Sequence, residues 1–223
     1  LNNISQIYDA KGDYDTALRY LEQSVAIQQQ IGDRQGEGNS LNNISQIYAA
    51  KGDYDTALRY LEQSLAIRQQ IGDRKGEGNS LNNISQIYDA KGDYDTALRY
   101  LEQSLAIRQQ IGDRQGESVT LNNISSILYA RGKVEEAMAF SYRDLQICQE
   151  IGDISGMATT MTNMGARFFE QNRYEEAIPL LMQAYTVFQK IGSPNVQAAG
   201  NYLGAIIERI GEAKFQEILS KMG

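Results

Sequence analysis

The sequence contains no histidine and no tryptophan, one cysteine and two prolines among 223 residues. Each shortage narrows the range of functions. General-base, nucleophile–histidine and zinc schemes mostly use His or paired Cys. No catalytic residue, metal ligand or cofactor is therefore expected, and the protein is read as a non-enzyme. The lone Cys148 cannot form an intramolecular disulfide, so nothing calls for an oxidising compartment and a cytoplasmic location is expected. No apolar run approaches a membrane span of about 20 residues, and no charged-then-apolar leader opens the chain. Phosphate cradles of the GxxxxGK[ST] or GxGxxG type are absent. Twenty-one Lys and Arg stand against 28 Asp and Glu, a net charge of −7 without basic clusters. That balance argues against nucleic acid as a partner and mildly favours neutral or basic ones.

What the chain has instead is repetition, which decides the fold before any other signal. LNNISQIY begins at Leu1, Leu41 and Leu81, and LNNISSIL at Leu121, a period of 40 residues. Residues 1–40 and 41–80 differ only at Asp9/Ala49, Val25/Leu65, Gln28/Arg68 and Gln35/Lys75. The register continues, weakened, as MTNMGARFF from Met161 and GNYLGAIIE from Gly200. This gives a single array over 1–223, with units near 1–32, 33–72, 73–112, 113–152, 153–192 and 193–223. Because the first residues match the middle of a unit, the chain is expected to be part of a longer protein.

Each unit reads as two helices. Leu41, Ile44, Ile47 and Tyr48 make one apolar stripe at helical spacing, and Tyr54, Ala57, Leu58, Leu61, Leu65 and Ile67 make another. Between them, Gly52 suits a left-handed helix end and Asp53 an N-cap. The same slot holds Gly12, Gly92, Gly132, Asn172 and Gly211. Second helices end on Ile-Gly pairs, from Ile31-Gly32 to Ile191-Gly192, followed by capping Asp33, Asp73, Asp113 and Asp153. Pro194 suits a first helical turn, whereas Pro179 should kink its helix or shift its start. Gly36, Gly38, Gly76, Gly78 and Gly116 imply either close helix approach or loose helix starts. Recurrent carboxylates such as Asp13, Asp15 and the Glu175-Glu176 pair fall at helix starts, where negative charge is stabilising. Cys148 beside Ile147 reads as a small buried residue.

The pattern Ile44-Ser45, Tyr48, Gly52-Asp53-Tyr54, Ala57, Leu61, Ser64 resembles the tetratricopeptide repeat. The fifth unit resembles it most fully, with Met164-Gly165, Phe168, Tyr174, Ala177, Leu181 and Ala184. The 40-residue period with LNN and IGDRxGEG resembles the long-helix branch found in kinesin light chains and the LGN/Pins scaffolds. Serines at 5, 45, 85 and 125 replace a small glycine, and Ser24, Ser64 and Ser104 a small alanine. Serine is nearly as small and can bond back along its helix. The resemblance implies an all-α, right-handed α-solenoid of antiparallel helix hairpins whose first helices line a concave groove.

On that implied groove, the stripe opposite Ile44 and Ile47 carries Asn42, Asn43 and Gln46. Equivalent positions are Asn2, Asn3, Gln6 and Asp9; Asn82, Asn83, Gln86 and Asp89; Asn122, Asn123, Ser126 and Tyr129; and Asn163. Amides offer both donor and acceptor, so a column of them can hold a peptide backbone without reading its side chains, as the resemblance also implies. Packed helices lie about 8–10 Å apart and an extended chain advances about 3.3 Å per residue. One rung would therefore meet a ligand roughly every three residues. Late in the chain Tyr129, Phe169, Glu170, Glu208 and Arg209 replace the Ala-rich positions, an aromatic and charged pocket. Phe169 reads equally as core, and the Asn column, read first as a peptide contact, serves in part for inter-helix bonding. The expected function is a protein-interaction scaffold binding a protein or peptide segment. Two alternatives stand beside it: self-association through the repeat ends, where Leu1, Ile4 and Ile7 form an apolar stripe, and a sensory arm of a larger signalling protein.

Overall fold

Glycine, or once Asn172, at the hairpin turns lets one helix stop and the next begin within three residues, and this sets the architecture. In the computed structural model, which describes residues 1–221, twelve helices follow one another. They are α1 (Asn2–Ala10), α2 (Tyr14–Ile31), α3 (Arg34–Ala50), α4 (Tyr54–Ile71), α5 (Arg74–Ala90) and α6 (Tyr94–Ile111). Then come α7 (Arg114–Ala130), α8 (Val134–Ile151), α9 (Ile154–Glu170), α10 (Tyr174–Lys190), α11 (Val196–Ile210) and α12 (Glu212–Ser220). Among the described residues there are no strands, and no helix is long and apolar enough to cross a membrane. Successive helices pack as hairpins, α1 with α2, α3 with α4, α5 with α6 and α9 with α10. Two compact units emerge, Leu1–Gly116 and a second from Glu117 onward.

The turn chemistry is as the sequence implies. Gly12, Gly52, Gly92 and Gly132 have φ of 75–77°, and Asn172 fills the same slot at φ 59°. Gly211 departs from the expected left-handed helical turn. At φ 80° and ψ 152° it adopts an extended conformation open almost only to glycine, which joins α11 directly to α12. Asp13, Asp53 and Asp93 accept a hydrogen bond from the backbone N–H three residues on, each at 3.1 Å. Asp33, Asp73, Asp113 and Asp153 cap the first helices in the same way. These caps satisfy donors that a helix start otherwise leaves unpaired.

Pro179 neither delays nor shortens the start of α10, which begins at Tyr174, in the slot of Tyr54. It falls six residues in, so the carbonyl left without its helical partner belongs to exposed Glu175. Pro194 is not in the first helical turn. It lies in a turn before α11, where Val196 and Gln197 donate to Ser193 and Pro194 carbonyls.

Burial follows the stripes. Leu41, Ile44 and Ile47 are 4, 1 and 2% exposed, and Leu21, Leu61 and Leu101 are equally covered. Each such side chain contributes about 1.5–3 kcal/mol on removal from water. Ala17, Ala57 and Ala97 let helices approach closely around these clusters. Tyrosines from the two helices of one hairpin stack at 5.6–5.7 Å, as Tyr8–Tyr20, Tyr48–Tyr60 and Tyr88–Tyr100. In the second unit, Met164, Phe168, Ile178, Leu181 and Ile206 build a larger core. There Gly165 faces Leu181 so closely that a Cβ would lie 2.6 Å from it.

The glycines near first-helix starts mark close approach, but to side chains. A methyl at Gly76 or Gly116 would overlap Arg68 or Arg108 and the capping aspartate. Gly38 and Gly78 present carbonyls to Ser64 and Ser104, which donate at 2.8 and 2.9 Å. These serines therefore bond across to another helix rather than back along their own. Ser5, Ser45 and Ser85 do bond back, each to the carbonyl three residues earlier at 2.6–2.7 Å.

Candidate binding site on the first helices

Helical periodicity puts residues 42, 43 and 46 of the repeat beside the buried 41, 44 and 47, so they border the core without entering it fully. In the first unit Asn3, Gln6, Gln46 and Gln86 are exposed, and Asn43 and Asn83 are half-buried. Asn43, Gln6, Gln46 and Gln86 make no hydrogen bond to other described residues. Their donors and acceptors face solvent.

The inner asparagines differ. Asn82 is buried, and Asn42 accepts from Asn83 Nδ2 at 2.7 Å, which ties α3 to α5. Asn2 accepts from Ser40 at 3.0 Å. Asn42 is thus engaged between two helices, and Asn82 is covered.

In the second unit the same register carries different chemistry. Asn122 turns inward to Asp144 at 3.3 Å. Asn123 and Asn163 are half-buried, and Ser126 is exposed while bonding the Asn122 carbonyl at 3.1 Å. Tyr129 donates to exposed Glu170 at 2.5 Å. Burial, followed by that carboxylate, pushes the Tyr129 hydroxyl up to about 12, so it stays a donor at neutral pH. Arg167 lies beneath the Tyr129 ring at 5.1 Å and donates to Ser125 (2.5 Å) and Ser141 (2.8 Å). Phe169, read equally as pocket wall and as core, is buried. It packs edge-on against Tyr202 at 5.6 Å and lies under the Arg209 guanidinium at 4.2 Å.

Sequence reasoning missed Arg167, although a signal was present. Its slot holds Ile47, Ile87 and Ile127 in earlier repeats, all buried, so a charge there breaks the apolar stripe. Cys148 is buried as expected, and burial pushes its thiol up to about 11. Asp15 and Asp55 pair with Lys51 and Lys91, and Glu176 with Arg173. Among the described residues no group of three His, Cys, Asp or Glu could hold a metal ion.

A family model described as the tetratricopeptide repeat matches residues 1–70, 36–110 and 116–190. Solved structures share the fold at low identity. BtubC (BKLC) from P. vanneervenii is 16% identical, with a TM-score of 0.80 over 94% of this chain and 92% of its own. A putative kinesin light chain of nearly identical repeats from Podospora anserina is 21% identical, with a TM-score of 0.67 over 85% and 94%. A Rap protein complexed with competence and sporulation factor is 15% identical, with a TM-score of 0.67 over 97% of this chain and 64% of its own. No curated protein sequence matches significantly. With the family model laid over the same glycine turns and apolar stripes that build the hairpins, the chain is an α-solenoid that belongs to the tetratricopeptide repeat family.

Proposed function

We propose that this protein is a non-enzymatic interaction scaffold that holds an extended segment of a partner protein along the exposed amides of its first helices. The observation that carries the reading is the row Gln6, Asn43, Gln46 and Gln86, identical in type from repeat to repeat and without hydrogen-bond partners among the described residues. Asn83, whose amide nitrogen is already on Asn42, and Asn123, Asn3, Ser126, Tyr129, Asn163 and Glu170 hold the corresponding slots and supply the parts that vary. Each hydrogen bond nets about 0.5–1.5 kcal/mol, so several repeats must act together. The fold is also that of the Rap protein complexed with competence and sporulation factor, which supports a proteinaceous partner. A cytoplasmic setting suits a chain with one thiol.

The test uses displayed random 12-residue peptides selected on the whole chain. Replacing Gln6, Asn43, Gln46 and Gln86 together with Ala should weaken the selected peptides at least tenfold while circular dichroism stays unchanged. Equal binding by the variant would overturn the reading. One observation favours a second reading, self-association. Leu1, Ile4 and Ile7 are 43, 42 and 56% exposed, although the same positions one repeat later are buried. Sedimentation across a concentration series separates the two, because a peptide scaffold stays monomeric.

A further inference from the structure

The near-identity of the early repeats makes their few differences informative, and one of them falls on the amide face. One helical turn beyond Gln6, Gln46 and Gln86 stand Asp9, Ala49 and Asp89, and residues three apart on a helix share a face. Asp9 and Asp89 are exposed. Neither carboxylate makes a hydrogen bond or ion pair among the described residues. Partial desolvation, with no cation beside it, holds the Asp89 carboxyl above its ordinary value.

The fold asks for no charge in these slots. Helix α3 closes with Ala49 there, and its C-cap N–H reaches the same two carbonyls as in α5. A carboxylate in the last turn of a helix also meets the negative end of the helix dipole, which disfavours it. Cations of the same unit serve other partners. Buried Arg68 is clamped on Asp73 (2.6 Å) and Asn39 (2.6 Å), and Arg108 on Asp113 (2.8 Å) and Asn79 (2.8 Å). Lys51 pairs with Asp15 and Lys91 with Asp55. Lys75 shares α5 with Asp89 but stands about 21 Å from it along the axis, at about 1.5 Å per residue. Two repeats apart, Asp9 and Asp89 cannot share one ion, so each calls for a cation of its own.

We propose that the partner segment carries two basic side chains, Lys or Arg, one facing Asp9 and the other Asp89. This rests on the scaffold reading and adds the charge and spacing of what the scaffold holds. Successive first helices about 8–10 Å apart put the two carboxylates about 16–20 Å apart, which an extended chain covers in about five or six residues at about 3.3 Å each. Alternate side chains of an extended chain face the same way, so the even spacing of about six brings both cations to the groove. The amides then hold the backbone without reading it, and the aspartates set register and direction. Exposed charge pairs of this kind contribute more to specificity and encounter rate than to affinity.

The test selects displayed random 12-residue peptides on the native chain and on the double variant Asp9→Ala/Asp89→Ala, alanine being the residue that α3 already carries in that slot. The native pool should be enriched at least fivefold over the input in Lys or Arg pairs five to seven residues apart, and the double variant's pool should lose that enrichment. In fluorescence anisotropy, peptides from the native pool should bind the double variant about three- to tenfold more weakly, two exposed ion pairs being lost. Asp9→Lys/Asp89→Lys should turn the enrichment to Asp and Glu. Ala49→Asp should add a preference for a further basic residue between the two. Peptides that bind without a basic pair, or a double variant that selects the same pool, would overturn this proposal and leave the scaffold reading standing. Basic peptides that depend on the aspartates yet bind the alanine variant of the amide row at full strength would do the reverse. A chain that selects no peptide overturns both.

Discussion

The two units meet the same demand, burying a repeated stripe under helices of equal length, with different interior chemistry. In the first, the junctions beside α4 and α6 are each held by a buried arginine clamped on a capping aspartate, an asparagine and a serine. In the second, hydroxyls and a buried carboxylate occupy those slots, and a buried arginine has moved to the opposite stripe at Arg167. The caps and small-residue slots that set the register hardly change, whereas the charges between them do. Turn geometry therefore fixes the hairpin, and the polar interior is free to diverge once the hairpin is fixed. Identity among the early repeats goes with a uniform row of amides; divergence in the later ones goes with distinct sites.

The sharpest way to break this comparison is to remove a clamp. Arg108→Ala leaves Asp113 and Asn79 without their buried cation, and such a loss costs about 3–5 kcal/mol. Repeat arrays need not unfold in one step, so hydrogen exchange at α5 and α6 amides is the measurement, with urea unfolding beside it. A loss under about 1 kcal/mol would mean that water replaces the guanidinium without penalty.

Raising the pH tests the junction of the second unit. Burial holds the Cys148 thiol protonated up to about 11. The folded state thus binds a proton that the unfolded chain releases near its ordinary value of about 8.5. The stabilising contribution is complete below that value and is lost as pH climbs toward 11. Between pH 8 and pH 10.5 the native chain should lose about 1–2 kcal/mol more than Cys148→Ala, measured by urea titration of the pair. Parallel losses would show that the thiolate is accommodated in the folded protein.

Arg167 is a smaller lever with a different sign. It is buried on Ser125 and Ser141, which also bond each other at 2.7 Å, and Ser125 reaches the Ala137 carbonyl at 2.6 Å. Both hydroxyls keep partners when the guanidinium leaves. Arg167→Ile restores the residue type of the four earlier repeats, and replacing a buried charge by an apolar residue is often neutral or stabilising. A change of about 1 kcal/mol or less, toward stability, is expected in thermal unfolding. A loss as large as that of Arg108→Ala would mean that Arg167 is a structural clamp and would end the contrast between the units.

Much of the fold was legible because glycine, asparagine and aspartate at fixed offsets dictate local backbone conformation irrespective of surroundings. Asn172 took its turn as the glycines did. Gly211 escaped because positive φ admits two values of ψ, and sequence does not choose between them. The candidate site was half legible. Gln46 and Asn43 point outward as their spacing demands, but Asn42 is only one residue away and pairs inward. A 100° step decides between solvent and contact, and the neighbouring helix sets the boundary. Phe169 was undecidable because an aromatic ring at a stripe edge goes wherever a partner covers it, here Arg209 and Tyr202. The Arg68 and Arg108 clamps involve residues 29 apart, beyond any local pattern.

The smallest expected effect concerns the caps. Asp13, Asp53 and Asp93 cap the second helices of the first unit, whereas Lys133 and Arg173 hold those positions later and form no side-chain cap. The backbone is already suited: Lys133 sits at φ −87° and ψ 65°, beside φ −84° and ψ 74° for Asp53. An asparagine at 133 should therefore accept from the Glu136 N–H with no backbone change and stabilise by about 0.5–1 kcal/mol. The exposed Lys133–Glu136 pair lost in exchange contributes little. Aspartate should gain less than asparagine, because Glu135 and Glu136 already place two negative charges in that turn. If Lys133→Asn and Lys133→Asp both leave the urea midpoint unmoved, packing alone fixes the start of α8, and the capping difference between the units is without consequence.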